Sequence, residues 1–349
     1  MHAYRDGGMR ASVAAQYSDL DFYESLPMEL AGAYERTPVP QPTVPQVIAR
    51  VEPFLSRWKN DARLRPLLGP SSLPRCSVDL FKASLESARR NGVGLHTHLL
   101  SAKSQVPVAR ARYGGSTVEY LRAAGGLERW VSFAHAIWLD QSEIDLLAKH
   151  EAMVVHNPMS NLKLGAGVAP VPALLRAGVP VALGTDGASS NDSQNMFETL
   201  KGAALIQRVM VPHAEWPTAM QTLRMCWEGG ARVLDAKVGR LAEGFRADLA
   251  LLRLGDLRSG PKDQIAQQLV YGELGASVDS VVVDGAVVYE GGRVLGVDAK
   301  AIRGEAQALV DRIWATLPDR EARFGQARPP LERLERAVRD LAIGFSRFG

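Results

Sequence analysis

The sequence predicts an α/β fold: an incomplete TIM-like (β/α)8 barrel, lacking its first strands, with a small β-module beside it. Three observations predict it. Short apolar runs end abruptly in polar, metal-capable side chains at His98, His135, His156 and Asp186. Segments of helical periodicity, long enough to cross between parallel strands, separate those runs. After Leu234 the pattern changes to β-branched runs punctuated by glycine. A parallel barrel produces the first two features, because its chemistry collects at the carboxyl ends of the strands on one face.

Composition bounds the function classes. The 349 residues are 46% hydrophobic and 23% charged, enough for a large core and more than one domain. Lysine and arginine (41) nearly balance aspartate and glutamate (38), and the net charge is +3. No basic block stands out and the aromatics are not interleaved with basic runs, so no nucleic-acid partner is expected. Cys76 and Cys226 make no disulfide framework, which fits a reducing compartment. No apolar run approaches the ~18 residues of a membrane span, and the first residues lack the apolar stretch of a signal peptide. The expected location is cytoplasmic, with no membrane partner.

In chain order, strands are predicted at 9–15, 63–68, 93–98, 130–135, 152–156 and 180–184. Pro38, Pro40, Pro42 and Pro45 form a stiff connector into a helix over 46–60 with a kink at Pro53. Ser77 caps a helix that Asn91-Gly92 stops. Capping boxes at Ser116/Glu119 and Asp140/Glu143 open the next two helices. Helices over 171–177, 196–209 and 218–232 follow. Six strands are counted where a closed barrel needs eight, so the first and last are expected to be open edges. The domain division is 1–234 for the partial barrel, 235–297 for the β-module and 298–349 for a helical tail. In the module, 239–252 reads as strand, turn, strand, and Asp284-Gly285 as a hairpin turn. The tail reads as two solvated or partner-facing amphipathic helices, over 302–317 and 330–348.

The order His98, His135, His156-Asn-Pro-Met-Ser-Asn161 and Gly184-Thr-Asp186-Gly187 resembles the amidohydrolase superfamily. Within it the chain is most similar to the aminohydrolase branch of cytosine, guanine and S-adenosylhomocysteine deaminases and triazine chlorohydrolases. Gly239-Arg-Leu-Ala-Glu-Gly244, Ala247-Asp248-Leu249 and Val283-Asp284-Gly285 match the β-module of that branch. The resemblance implies a metal-dependent barrel, with His98 a metal ligand, Asp186 both ligand and catalytic base, and His135 the residue that polarises the attacked carbon. His156 and Asn161 are the candidate substrate contacts. The implied cofactor is a divalent metal, zinc or iron. The implied reaction is hydrolysis of a non-peptide C–N bond in a small nitrogen heterocycle or amidine, with dechlorination as a related activity, in a homodimer.

The residue types suit that chemistry. Attack on such a carbon needs hydroxide at neutral pH, and a bound divalent metal acidifies water enough to supply it. Imidazole and carboxylate are its natural ligands. Two departures stand beside the match. The branch carries a His-x-His on a first strand, with no counterpart here, and reads His-x-x-Glu where this chain reads His98-Leu-Leu-Ser101. The expectation is therefore an amino-terminally truncated enzyme with impaired catalysis, the alternative being a non-catalytic relative or gene remnant that binds or dimerises. His96 is expected on the helix-facing side of its strand.

Overall fold

The computed structural model describes residues 1–32, 39–253, 255 and 264–347. Pro38 and Phe348, used above to mark a connector and a helix end, lie outside them. Six parallel strands form one sheet: β1 (Ala11–Tyr17), β2 (Leu64–Pro70), β3 (Leu95–Leu99), β4 (Val131–His135), β5 (Met153–His156) and β6 (Val181–Leu183). They lie in sequence order, with β1 and β6 as the two edges. Each falls where an apolar run predicts it.

The crossover helices cover one face of this sheet. Leu55, Phe81, Leu85, Val118, Leu121, Ile144 and Leu174 point from helices into a single core shared with Leu68, Leu95, Phe133, Val154 and Val181 from the strands. Helix 78–91 begins at Ser77, whose hydroxyl accepts from Leu80 N, and ends at Gly92 in the left-handed region. The Asp140/Glu143 box closes on both sides. At Ser116 only half of the expected box forms: the hydroxyl caps the helix, but Glu119 turns to Arg122. Helix Val44–Trp58 runs on through Pro53. Helix Ala219–Leu234 lies so close to β6 that a Cβ at Gly229 would sit 2.4 Å from Val181 O. No described helix is long and apolar enough to cross a membrane.

A second, antiparallel sheet holds β7 (Leu249–Leu252), β8 (Val278–Val283), β9 (Ala286–Glu290) and β10 (Arg293–Val294). Asp284 (φ 53°) and Gly285 (φ 83°) make the tight hairpin turn that its sequence predicts. The strand expected before β7 does not form. Gly239 and Gly244 are both left-handed, and Phe245 N and Arg246 N close turns onto Ala242 O and Lys237 O, so no extended run survives there. The two motif aspartates have a structural task. Arg10, just ahead of β1, forks onto Asp248 (2.6 Å) and reaches Asp284 (2.9 Å), tying the module to the parallel sheet.

The tail divides differently from expectation. Helix Ala299–Ala315 has no buried residue, as a solvated or partner-facing helix should. The following helix starts at Leu317 rather than at Pro330 and runs to Asp340, with both prolines inside it. Its second half is not solvated: Leu334 and Val338 pack on Ala31, Leu26 and Met28, and that docking holds the helix across the prolines.

Candidate active site

β3, β4 and β6 deliver three of the predicted side chains to one cavity of about 530 Å³ at the carboxyl end of the parallel sheet: His98, His135 and Asp186. Asn161, from the helix after β5, lines it too. The rings of His98 and His135 stack with centroids 5.4 Å apart, and His135 Nε2 lies 3.9 Å from Asp186 Oδ2.

Each group is held by its outer atoms. His98 Nδ1 donates to Ser71 O at 2.5 Å, since a carbonyl can only accept, which leaves Nε2 as the lone-pair nitrogen of the neutral ring. His135 Nδ1 pairs with Asn161 Oδ1 at 2.8 Å and so also frees Nε2. Asp186 accepts from Ser160 Oγ through Oδ2 and from Gly187 N through Oδ1. The backbone is strained at the same places: Leu100 (φ 44°), His135 (φ 74°), Ala136 (φ 49°) and Asp186 (φ 63°) are all left-handed without being glycine. Strand alternation would aim His135 with Phe133 at the helices. The left-handed pair His135–Ala136 ends the strand sharply, and the ring faces the cavity instead.

Electrostatics favour a neutral ring at His135. Burial lowers the pKa of His135 and the neighbouring His98 lowers it further, against the Asn161 hydrogen bond and the Asp186 charge, which raise it. His96 corrects an expectation. Residues two apart on a strand share a face, so it points to the inside with His98, not toward the helices. Its Nδ1 meets Ser132 Oγ at 2.8 Å, and burial, with His98 and His135 adding, pushes its pKa down to about 4. His156, expected among the substrate contacts, lies behind the cavity wall and not in it. Alternation puts it on the side of Val154 in the core, 1% exposed, with neither ring nitrogen partnered and a pKa pushed by burial down to about 3.

The sequence reading missed one wall. It is lined by Phe22 and Leu26 and by Leu331, Leu334, Glu335, Val338 and Arg339 of the C-terminal helix. The 331, 334, 338 spacing marks an apolar face, but no local signal says that it docks some 300 residues upstream, on Ala31. Ser101, also in the wall, exchanges two hydrogen bonds with Gln105.

The donors fit a divalent cation in kind. His98 carries the outer hydrogen bond typical of a metal-ligating histidine, and Asp186 presents a fixed carboxylate. Among the described residues, however, no three His, Cys, Asp or Glu side chains close to metal-binding distance.

A sequence model of the Amidohydrolase family matches residues 24–288. The chain belongs to the amidohydrolase family. It is 37% identical over 263 residues to a 5-methylthioadenosine/S-adenosylhomocysteine deaminase of Pelotomaculum thermopropionicum, covering 74% of this chain and 61% of that one. It is 34% identical over 264 residues to a 5'-deoxyadenosine deaminase of Methanosarcina acetivorans, covering 75% and 61%. The amidohydrolase chain therefore spans 61% of the length of these curated relatives. Among solved structures, a zinc-bound adenosine deaminase from Xanthomonas campestris superposes with a TM-score of 0.80 at 27% identity, covering 90% of this chain and 68% of that one. The zinc complex of an atrazine chlorohydrolase from Arthrobacter aurescens gives 0.79 at 30% identity, covering 88% and 68%. The resemblance read from the histidines and Asp186 is thus borne out at the level of family and fold.

Proposed function

We propose that this amidohydrolase is a metal-dependent aminohydrolase that converts the amino group of an adenosine-like nucleoside into a carbonyl, releasing ammonia. The observation that carries the reading is the meeting of His98, His135 and Asp186 in one cavity. The deaminase names of the relatives supply the substrate class.

In this reading His98 and Asp186 hold a divalent cation, zinc or iron(II), which when bound brings the pKa of water into the neutral range. The protein's own groups do the rest. Asp186, fixed by Ser160 and Gly187 N, takes a proton from the attacking water, and that proton is the one the departing amine needs. His135, oriented by Asn161, aims its Nε2 lone pair into the cavity and accepts a hydrogen bond from the attacking water. Asn161 is a positioning residue. The strained, pinned backbone at His135 and Asp186 supports a working site over a remnant.

Ammonia release from adenosine and 5'-methylthioadenosine, with zinc or iron(II) supplied, tests the proposal. Release that disappears in Asp186→Asn is the expected result. A folded chain that deaminates neither nucleoside with either metal contradicts it. Chloride needs no proton to leave, so with serine at position 101 a 6-chloropurine riboside should react relatively faster than adenosine. The three-part division at 234 and 297 and the homodimer belong to the same proposal. Limited proteolysis and sedimentation velocity test them.

A further inference from the structure

Resting on the reading of the cavity as a nucleoside site, we propose that the C-terminal helix is its specificity element: Leu331 and the Glu335–Arg339 pair decide which 5' substituent the nucleoside carries. The reacting ring must lie at the pole of His98, His135 and Asp186, so the sugar's far end meets the opposite wall. That wall is the C-terminal helix and the segment it packs on.

The helix is fixed there. Leu334 (4% exposed) and Val338 (8%) are consumed in packing on Ala31, and Arg333 Nε donates to Ala31 O at 2.8 Å. Leu331 is only half-buried, which leaves it available to a ligand. With Phe22 and Leu26 it makes the wall apolar.

Of the wall's two cations, only Arg339 is ion-paired among the described residues. Lys103 Nζ donates to Arg339 O at 2.7 Å, at the carboxyl end of the helix where the backbone dipole favours a cation, and lies 5.8 Å over the ring of Trp138. Arg339 pairs with Glu335 at 3.4 Å. An entering 5'-phosphate therefore meets the Glu335 carboxylate, which competes with it for Arg339 and leaves Lys103 as the wall's remaining cation. A 5'-methyl or 5'-methylthio group finds Leu331 and gains by leaving water.

Equilibrium binding to the full chain tests this, with a chelator present so that no turnover intervenes. The probes are 5'-methylthioadenosine, adenosine and adenosine 5'-monophosphate. The methylthio compound should bind about tenfold tighter than adenosine, as burial of two further apolar atoms predicts, and the monophosphate weakest of the three. Leu331→Ala should remove most of the methylthio advantage and leave adenosine unchanged. Glu335→Gln, at an exposed position where folding is not at stake, should release Arg339 and raise monophosphate affinity about tenfold, as gain of one charge-assisted contact allows, with no effect on the methylthio compound. Equal binding of all three, or a monophosphate affinity indifferent to Glu335→Gln, overturns the role of the helix while leaving the nucleoside reading intact. Binding of none of the three by folded protein overturns both.

Discussion

The two ends of the parallel sheet use the same rare backbone conformation for different purposes. At the amino end Glu151 (φ 51°) and Asp235 (φ 47°) are left-handed, and each follows the last turn of a helix, where such a residue ends the helix by satisfying its final carbonyls. At the carboxyl end Leu100, His135, Ala136 and Asp186 are left-handed with no helix to terminate. The first pair is explained by local structure; the second set is explained only by where His135 and Asp186 must point. The cavities differ in the same way. The amino-end cavity is larger, about 1000 Å³ against about 530 Å³, and is lined by Arg65, Arg89, Arg129, Arg232, Lys237 and Arg240. Arg65 is tied to Asp235, Arg240 to Glu228 and Arg89 to Gly125 O. Size does not locate the chemistry. Lone pairs held in place do, and they are at the smaller cavity.

That contrast can be broken by mutation. Asp186→Asn keeps the shape of the carboxyl end but removes the proposed base, and ammonia release should fall about 10²–10⁴-fold in steady-state kinetics. An equally large loss on altering the amino end would erase the distinction. Arg10→Ala unties the β-module and leaves Asp248 without its cation, while Asp284 keeps Arg246, so the urea midpoint should fall. Turnover per folded molecule should not change, because Arg10 is far from the cavity wall.

His156 sharpens the comparison through pH. Its pKa is lowered from 6.5 to about 3 by burial, with His135 adding, so between those values the unfolded chain binds a proton that the folded chain refuses. Stability is therefore full above pH 6.5 and is lost as pH falls, by roughly 2 kcal/mol at pH 5. Denaturant titrations from pH 7 to 5 should show this slope, and His156→Phe should reduce it, leaving the part that His96 contributes. Arg65→Ala, which breaks an exposed pair with Asp235, should move stability by less than about 1 kcal/mol and activity not at all.

Much of the fold was legible because a parallel strand buried on its helix face is a short apolar run, and a barrel strand ends in its working residue. His98, His135 and Asp186 could be read for that reason. His96 was misassigned by neglect of the period of two. The strand expected before β7 failed because Gly239 and Gly244 take left-handed conformations that composition alone does not reveal. His156 looked like a strand-end site residue, and only the packing of Val154 shows which side it takes. The wall formed by the C-terminal helix was illegible for a deeper reason. Nothing local to 331–339 encodes that this face docks on Ala31 and lines the same cavity as two histidines.

The claim that matters most is that a divalent metal and the reacting substrate meet at the carboxyl end of the sheet, between His98 and Asp186. A crystal of the 349-residue chain equilibrated with zinc, with anomalous data collected across the zinc edge, measures this directly. The account predicts a peak within bonding distance of His98 Nε2 and the Asp186 carboxylate, at partial occupancy because two protein ligands fall short of the three of a tight catalytic site. A zinc peak elsewhere, with none between His98 and Asp186, contradicts it.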